Sequence, residues 1–333
     1  MKITLLENKT DIYSVYDRIS TINNLNIFQS RAYYDIMNSS NQTIPKVIIA
    51  EDYNNLKGII LIQIQNYFSS LLKSFSSRAV ISGGPLFNND ENVLSDLLSE
   101  YIRMFRRKVV YTQIRNLFDV ESFNHIFEKY SFKRQGHLNY IIDLNDKIDI
   151  IWKNVYSKRK NEIRRGMKEG ISVKEISYES ELLNAYTILE LIYKKAKLPL
   201  PKYDYFYKAR NIIDGDIIFR VFGGYFENKL IGVMFLLCFN GRVYNWYAAS
   251  NPDYYKIYPN DVITWKVIIW ALENGFKIFD FGGAGNPSQE YGVRNYKKKF
   301  GGTEVNYGRY ECIHNSVIMK LSEHGFKLWQ KLK

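Results

Sequence analysis

The sequence has few of the residues from which metal sites and disulfide frameworks are built. Among its 333 residues there are only two cysteines, Cys238 and Cys312, and four histidines. The cysteines lie far apart in the chain, and the histidines form neither an HxH nor an HxxxH group. A metal centre and a disulfide-stabilised fold are therefore both unsupported.

Long apolar runs are also missing. The longest candidate, residues 230–239, is far shorter than the roughly 20 residues that a membrane-spanning helix needs, and it suits a buried strand. Residues 1–20 are charged and polar and contain no continuous apolar segment of the signal-peptide type. We therefore expect a soluble, cytoplasmic protein.

Acidic residues are outnumbered by basic ones. The chain has 46 Lys and Arg residues against 34 Asp and Glu residues, which gives a net charge of +12. This excess favours a polyanionic partner such as RNA, a phosphorylated substrate or an anionic membrane surface. A low-GC genome that uses lysine codons freely is an alternative explanation.

Disorder is excluded by the apolar content. Hydrophobic residues make up 46% of the chain, and 27 Tyr and 20 Phe residues supply large side chains for packing. A chain of 333 residues is too long for one typical core, so two domains are expected. Strand-like and helix-like segments alternate along it, which predicts an α/β protein.

The two halves of the sequence have a similar order of segments. Residues 56–61 and 230–235 each follow an Asn-containing turn, which is a hairpin signal. Each is followed by a further strand, a polar turn, and then a helix with a buried strand, at 92–114 and 261–281. An internal duplication of an α/β module explains this order, although coincidence in a common α/β pattern is an alternative.

Three segments carry a more specific resemblance. Residues 279–283 read Phe-Asp-Phe-Gly-Gly, and residues 296–302 read Tyr-Lys-Lys-Lys-Phe-Gly-Gly. Together with Pro259 they look like the C-terminal signature of the FemABX family, which has an aromatic–Lys pair, two spacer residues and Phe-Gly. The basic segment 157–170 is similar to the helix that opens the second module of this family. The pair Gly84-Pro85 resembles the Gly-Pro of its first module.

The sequence also departs from the family pattern. Gly83 stands where members often carry Arg, and Tyr296 stands where Phe is usual. The chain has no long heptad segment, so it resembles the FemX-type branch that lacks a coiled-coil arm. FemABX proteins are the non-ribosomal aminoacyltransferases of the peptidoglycan interpeptide bridge. The resemblance implies an α/β fold of two tandem GNAT-like modules, residues 1–145 and 146–333, each with a mixed sheet flanked by helices.

The resemblance also implies a reaction. An amino acid would move from aminoacyl-tRNA, a co-substrate, onto an amine of a nucleotide- or lipid-linked peptidoglycan precursor peptide. The enzyme would need no metal and no bound cofactor, and it could touch the inner face of the membrane peripherally. Two alternatives stay open: an N-acyltransferase that uses a coenzyme A thioester to modify an amino sugar in polysaccharide synthesis, and a non-enzymatic RNA-binding module.

The turn before the helix at 261 gives evidence about the identity of the acyl donor. A coenzyme A-dependent GNAT enzyme holds the pyrophosphate here with Arg or Gln, two residues, Gly, one residue, and Gly or Ala. Residues 255–260 contain no glycine, and Pro259 removes one N–H. The loop 282–287 is glycine-rich but has neither GxGxxG nor Walker spacing, so nucleotide hydrolysis is not indicated. A donor other than coenzyme A is therefore favoured.

Acyl transfer to an amine passes through an oxyanion, which a fixed positive charge stabilises. Lys297 is the candidate for this role, and the resemblance places the catalytic lysine of the family at this position. Tyr296 and Phe300 would screen it from water, and Tyr296 is the second predicted catalytic residue. The alternative is that residues 297–299 form a solvated or tRNA-contacting charge run.

Binding residues are predicted at strand ends, in the glycine loop and on basic surfaces. The alternative for each of them is a structural or solvated role; for Asp280 this is a partner for loop N–H groups, and we do not name it as the base. Basic residues on one side of the helix at 158–169 would hold tRNA phosphates in a salt-dependent way. The predicted substrate contacts are Gly84, Arg115, Asn245, Tyr247, Asp280, Gly282 and Gly283. The predicted tRNA contacts are Lys160, Arg164, Lys168, Lys298 and Lys299.

Overall fold

Two seven-stranded mixed sheets organise the chain in a computed structural model that describes residues 1–40, 43–65, 77–212 and 219–321. Contacts divide the chain into two compact units, Met1–Gly136 with Tyr307–Lys333, and His137–Asn306. The described part of the chain contains no helix that is long and apolar enough to cross a membrane.

The first unit contains one sheet and its covering helices. Its strands are β1 (Lys2–Leu6), β2 (Thr43–Asp52), β3 (Asn55–Gln65), β4 (Arg78–Ser82), β5 (Tyr111–Arg115), β6 (Lys133–Gln135) and β14 (Arg309–Ile313). Its α-helices are α1 (Lys9–Tyr16), α2 (Arg31–Asn38), α3 (Glu91–Phe105) and α4 (Asn124–Lys129). The strand order is β1-β2-β3-β4-β5-β14-β6, and β4 and β5 form its parallel pair.

The second unit repeats this plan. Its strands are β7 (Asn139–Asp143), β8 (Ser172–Glu175), β9 (Phe219–Phe226), β10 (Lys229–Phe239), β11 (Arg242–Ser250), β12 (Ile278–Gly283) and β13 (Thr303–Val305). Its α-helices are α5 (Ile148–Asn154), α6 (Ser157–Lys168), α7 (Glu179–Lys195), α8 (Tyr203–Asn211), α9 (Pro259–Glu273) and α10 (Gly292–Lys298). The order is β13-β7-β12-β11-β10-β9-β8, and β11 and β12 form the parallel pair.

The internal repeat is visible in the turns and bulges. Asn54 and Asn228 close the β2–β3 and β9–β10 hairpins with φ of 64° and 60°, which is the left-handed conformation that tight hairpin turns need. The β2–β3 register shifts between Ala50 and Glu51, and the β10–β9 register shifts between Leu230 and Gly232. Each hairpin therefore has a bulge just beyond its turn, before the strand passes beneath a helix.

A glycine lies at the equivalent position of each repeat, where a helix crosses the sheet. A Cβ on Gly58 would lie 2.7 Å from Val93 of α3, and a Cβ on Gly232 would lie 2.8 Å from Ile263 of α9. Both distances are shorter than normal carbon contacts, so each helix packs on bare backbone. The cores are built on these helices, with Leu94, Leu97 and Leu98 in the first unit and Ile268 in the second all fully buried.

The tandem GNAT-like fold is the one expected from the sequence, but the compact units differ from the predicted modules of 1–145 and 146–333. Strand β7 lies in the second sheet, between β13 and β12, and β14 lies in the first sheet, between β5 and β6. Sequence periodicity identifies a strand but does not name its distant partner. The predicted closing helix at 316–332 is helical at 316–321, and the remainder lies outside the described residues. The same holds for residues 217–218 of the strand predicted at 217–223.

We expect Gly58→Ala and Gly232→Ala to lower the free energy of unfolding by about 1–3 kcal/mol each, because an added methyl group overpacks the helix–sheet contact. The measurement is thermal unfolding followed by circular dichroism. Gly292→Ala is the matched control, since its Cβ would meet no atom within 4 Å. Equal melting temperatures for all three variants would show that the close helix–sheet contact at these glycines does not determine stability.

Candidate active site

The two parallel strands of the second unit separate at their carboxyl ends. Within the described chain, β11 pairs with β12 only over Arg242–Tyr244 and Ile278–Asp280. On its other side β12 pairs with β7 over Ile278–Asp280 and, after a register shift, through Gly283 and Asn139. Gly282 has φ of 68°, which turns the backbone out of the regular strand. The last carbonyl groups of β12 are thereby free to point at a side chain.

That side chain is Lys297 of α10. Its Nζ donates to the carbonyl oxygens of Phe281 at 2.6 Å, Gly282 at 3.0 Å and Gly283 at 2.8 Å. An ammonium group has three donors, so all of them are used. The residue is only 9% exposed, and this burial lowers the pKa of Lys297 to about 8, while the nearby Asp280 carboxylate acts in the opposite direction. A desolvated cation therefore lies at the end of β12, at the residue that the sequence singled out.

Arg294 extends the same arrangement along the loop. Its Nε donates to the carbonyl of Ala284 at 3.0 Å and its Nη1 to that of Pro287 at 3.3 Å, and its Nη2 contacts the carbonyl of Asn286. Arg294 and Lys297 are three residues apart, so they share one face of α10. We refer to these two side chains and the six carbonyl groups that they bind in residues 281–287 as the carbonyl clamp. The sequence analysis did not identify Arg294.

Asp280 is fully buried beside the carbonyl clamp. Its Oδ1 accepts from Asn139 Nδ2 at 2.7 Å and from the N–H of Gly282 at 2.8 Å, and its Oδ2 lies 3.0 Å from Arg242 Nη1. These partners satisfy the carboxylate from three sides. The contacts fit the structural interpretation of Asp280, whereas its role as a substrate contact stays a prediction.

Tyr296 turns its hydroxyl group toward the first turn of α9. The hydroxyl donates to the carbonyl of Asn260 at 3.0 Å and lies 2.9 Å from Thr264 Oγ1. Burial raises the pKa of Tyr296 to about 12, and the Arg159 guanidinium opposes this rise. The tyrosine therefore joins α10 to α9 as a neutral phenol. Its catalytic role stays a prediction.

Arg159 is a buried cation that the sequence analysis missed. Its guanidinium lies over the rings of Tyr296 and Phe300, at 4.4 Å and 4.9 Å from their centroids. It pairs with Asp261 in the first turn of α9 and with Glu162 at 3.0 Å. Burial lowers the pKa of Arg159, while Tyr296 and Glu162 act in the opposite direction. Arg159 is four residues before Ile163, so the apolar side of α6 was the available signal that it points inward.

Helix α6 also covers the turn that precedes α9. A Cβ on Gly166 would lie 2.5 Å from Val262 Cγ2 and 2.6 Å from the carbonyl oxygen of Ile257. The helix therefore contacts segment 257–262 almost backbone to backbone. Together with the Arg159–Asp261 pair, this contact closes the amino end of α9.

The other predicted substrate contacts fall in different surroundings. Asn245 is half-buried on β11, beside Gly282. The Tyr247 ring packs against Phe206 at 5.1 Å and Tyr193 at 5.8 Å, in an aromatic cluster with α7 and α8. These contacts fit the structural interpretation of Tyr247, whereas its role as a substrate contact stays a prediction.

Gly84 and Arg115 belong to the first unit. A Cβ on Gly84 would lie 2.7 Å from Gln29 Cδ, and the Gln29 amide itself bonds to the backbone of Leu61 and Ser82. Arg115 ends β5, where its Nε donates to Gln113 Oε1 at 2.8 Å. Gly84 is thus required by close packing, and Arg115 is half-buried at a strand end.

The predicted tRNA contacts lie on the outer side of α6 and at the end of α10. Lys160 donates to the carbonyl of Lys153 at 3.0 Å, and the Arg164 guanidinium lies 5.4 Å from the Trp152 ring. Lys168 and Lys298 are exposed and Lys299 is half-buried. Within the described residues, no group of three or more His, Cys, Asp and Glu side chains could hold a metal ion.

Comparison with known proteins identifies relatives of part of the chain. A family model described as an acetyltransferase (GNAT) domain matches residues 157–298, which run from α6 to α10. Over 170 residues the chain is 25% identical to the UDP-N-acetylmuramoylpentapeptide-lysine N(6)-alanyltransferase of Weissella viridescens, covering 50% of this chain and 49% of the relative. Over 94 residues it is 32% identical to the lipid II:glycine glycyltransferase of Staphylococcus haemolyticus, covering 26% and 22%. The chain thus matches about half, or less, of the length of these curated relatives.

Solved structures show the same fold over nearly the whole chain. The crystal structure of FemX superposes with a TM-score of 0.71 and 13% identity, covering 96% of this chain and 99% of that one. A tandem GNAT protein from the clavulanic acid biosynthesis pathway superposes with a TM-score of 0.58 and 7% identity, covering 94% and 99%. At these identities the likeness is one of fold.

The buried ammonium gives stability a distinctive pH dependence. The unfolded chain keeps the Lys297 proton up to its ordinary pKa of 10.5, whereas the folded protein releases it near 8. The unfolded state therefore binds more protons between these values, and stability rises with pH in that window. We expect the unfolding free energy of the wild type, relative to Lys297→Met, to rise by about 3 kcal/mol between pH 7.5 and 10.5.

Denaturant titrations at several pH values measure this difference. The control is Lys298→Met, which removes an exposed neighbouring charge and should show no such rise. A wild-type-minus-Lys297→Met difference that stays flat across the window would mean that the ammonium is not desolvated.

Proposed function

The chain belongs to the FemABX family of tandem GNAT-like proteins, and from this premise we propose that it is an aminoacyltransferase. It would move an aminoacyl group from aminoacyl-tRNA onto an amine of a nucleotide- or lipid-linked peptidoglycan precursor peptide. The observation that carries the proposal is the buried Lys297 cation at the end of β12, where β11 and β12 separate. The acceptor class follows the printed names of the relatives, which act on a pentapeptide lysine and on lipid II.

In the proposed reaction, the neutral acceptor amine attacks the ester carbonyl of the donor. The carbonyl π electrons move to oxygen, and the tetrahedral intermediate carries a negative charge there. Collapse forms the amide bond and breaks the ester C–O bond, and the ribose hydroxyl leaves with the proton that the amine gives up. A cation held in a site of low polarity stabilises the oxyanion far better than it would in water.

Lys297 would act on the oxyanion through one of two geometries. All three of its donors are occupied by the carbonyls of residues 281–283. A direct contact therefore needs one carbonyl to be exchanged for the substrate oxygen. If no carbonyl is exchanged, the ammonium charge stabilises the oxyanion through space, across a region from which water is excluded. In either case Arg294 holds the loop that supplies the competing carbonyls, and it is a positioning residue for Lys297.

The closed amino end of α9 supports a donor other than coenzyme A. A pyrophosphate bound at a helix start needs open N–H groups and room for close approach. Here Pro259 lacks an N–H, Asp261 occupies the first turn, and Gly166 of α6 lies against segment 257–262. These contacts favour aminoacyl-tRNA over the acyl-coenzyme A alternative.

The donor test uses the purified chain with a lysine-containing UDP-linked pentapeptide, and separately with lipid II. One set of reactions receives a mixture of radiolabelled aminoacyl-tRNAs and a second receives radiolabelled acetyl-coenzyme A. We expect label to move to the peptide only from aminoacyl-tRNA. Transfer from acetyl-coenzyme A instead would favour the alternative acyltransferase. Salt-sensitive tRNA binding with no transfer to either acceptor would favour the RNA-binding alternative.

The catalytic role of Lys297 is tested by Lys297→Ala. We expect kcat to fall by about 10²–10³-fold, the range seen when one oxyanion donor is removed, with the far-ultraviolet circular dichroism unchanged. The matched control is Lys266→Ala, which removes an exposed lysine outside the predicted contacts and should keep kcat within about twofold. Wild-type turnover by Lys297→Ala would exclude the proposed role.

A further inference from the structure

The carboxyl end of α7 exposes apolar side chains. Leu191 is 49% exposed and Leu198 is 52% exposed, whereas Leu182 and Leu189 on the inner face of the helix are fully buried. A single exposed leucine is ordinary on a protein surface. The neighbouring charges distinguish this end of the helix.

Residues 191–203 contain four lysines and no acidic residue; the lysines are Lys194, Lys195, Lys197 and Lys202. Lys194 and Lys195 are exposed in the last turn, where the helix dipole by itself favours cations. That explanation does not extend to Lys197 and Lys202, which lie beyond the helix. The flanking carboxylates are Glu190, one residue before the segment, and Asp204, which lies 2.8 Å from Lys208. We call residues 191–202 the α7 cap.

The backbone of the α7 cap is fixed by a Schellman motif. The N–H of Leu198 donates to the carbonyl of Tyr193 at 2.9 Å, and the N–H of Lys197 donates to that of Lys194 at 3.1 Å. Lys197 has φ of 51°, the left-handed conformation in which glycine is usual. A lysine at this position keeps a charge where glycine would relieve strain. In such motifs the residue in the place of Leu198 usually packs back on the helix, but here it faces outward.

The segment after the motif is also held in place. The Tyr186 hydroxyl donates to the carbonyl of Pro201 at 3.2 Å, and the Tyr186 ring contacts Tyr203 at 5.7 Å. The α7 cap is therefore ordered before any partner arrives, and docking would cost little conformational entropy.

We infer that the α7 cap is a docking surface for an anionic membrane. Lysines near a negatively charged leaflet are attracted to it, and their alkyl chains lie along apolar surface while the charges stay at the headgroups. Leu191 and Leu198 would enter the headgroup–acyl boundary, where exposed leucine side chains leave water. RNA phosphates would attract the lysines but would not bury the leucine side chains. A bilayer does both, so the two features together fit a membrane.

The face opposite the α7 cap supplies controls within the same unit. On β10, Phe235 packs against Phe206 of α8 at 5.2 Å, while Gly232 lies beneath Ile263 of α9. Residues at odd spacing on a strand point to opposite faces, so α8 and α9 cover opposite sides of the sheet. Lys256 and Lys266 are exposed on the α9 side.

The first experiment is sedimentation with vesicles of phosphatidylglycerol and phosphatidylcholine, and with vesicles of phosphatidylcholine alone. We expect binding to the anionic vesicles only. Lys194→Gln with Lys195→Gln should weaken it about tenfold or more. Lys256→Gln with Lys266→Gln, which changes the net charge equally, should weaken it less than threefold. An equal loss in both double variants, or no vesicle binding by the wild type, would overturn the inference.

The second experiment locates the contact. Cys238 and Cys312 are buried, so Leu198→Cys can be labelled selectively with an environment-sensitive fluorophore. We expect its emission to shift to shorter wavelength with anionic vesicles, with no shift for labelled Lys266→Cys. A shift caused by tRNA but not by vesicles would assign the surface to RNA instead. Neither experiment uses the transfer reaction, so a negative result here leaves the proposed function standing.

Discussion

The buried ammonium of Lys297 is the interaction on which the candidate site depends. Taking a cation out of water is costly, and the cost is offset only when each donor finds an acceptor. The carbonyls of residues 281–283 supply those acceptors because Gly282 bends the chain with positive φ. The bend follows the last β11–β12 pair, Tyr244 with Asp280. The glycine, the end of this pairing and the bonds of Lys297 therefore form one arrangement.

Buried ion pairs surround this centre and fix its geometry. Asp280 with Arg242 holds the base of the loop, and Asp261 with Arg159 holds α9, α6 and α10 together. Such pairs add little net stability, because desolvation cancels much of their attraction. Their geometry is directional, however, and replacing one partner leaves an uncompensated charge. The second unit therefore uses polar groups to position its helices around the end of β12.

Features that depend on residues close together in the chain could be predicted from the sequence. Asn-containing turns located the hairpins, and Ser30 caps α2 by accepting from the N–H of Tyr33, a role that serine favours at helix starts. The partners of β7 and β14 were not predictable, because pairing over such sequence distances leaves no periodic signal.

The candidate site was predicted in part for the same reason. The position of Lys297 was identified through a motif, but the occupancy of its three donors depends on the path of residues 281–283. On α6, Arg159 is buried and Lys168 is exposed, and the helical spacing of Arg159 from Ile163 was the sequence signal for this difference. Arg294 gave no signal, since its partners are main-chain carbonyls, which every residue has.

The strand arrangement also determines how the chain can be divided. His137–Asn306 is one continuous insertion into a first unit whose sheet is completed by β14 from the far side of the insertion. The two ends of the insertion meet, because Asn139 pairs with Val305 and the N–H of His137 bonds to the Asn306 side chain at 2.9 Å. All of α5 to α10 lies between those adjacent ends. We therefore expect that the second unit can be excised, or circularly permuted at its paired ends, without breaking its sheet. The first unit, by contrast, is built from two separate stretches of chain.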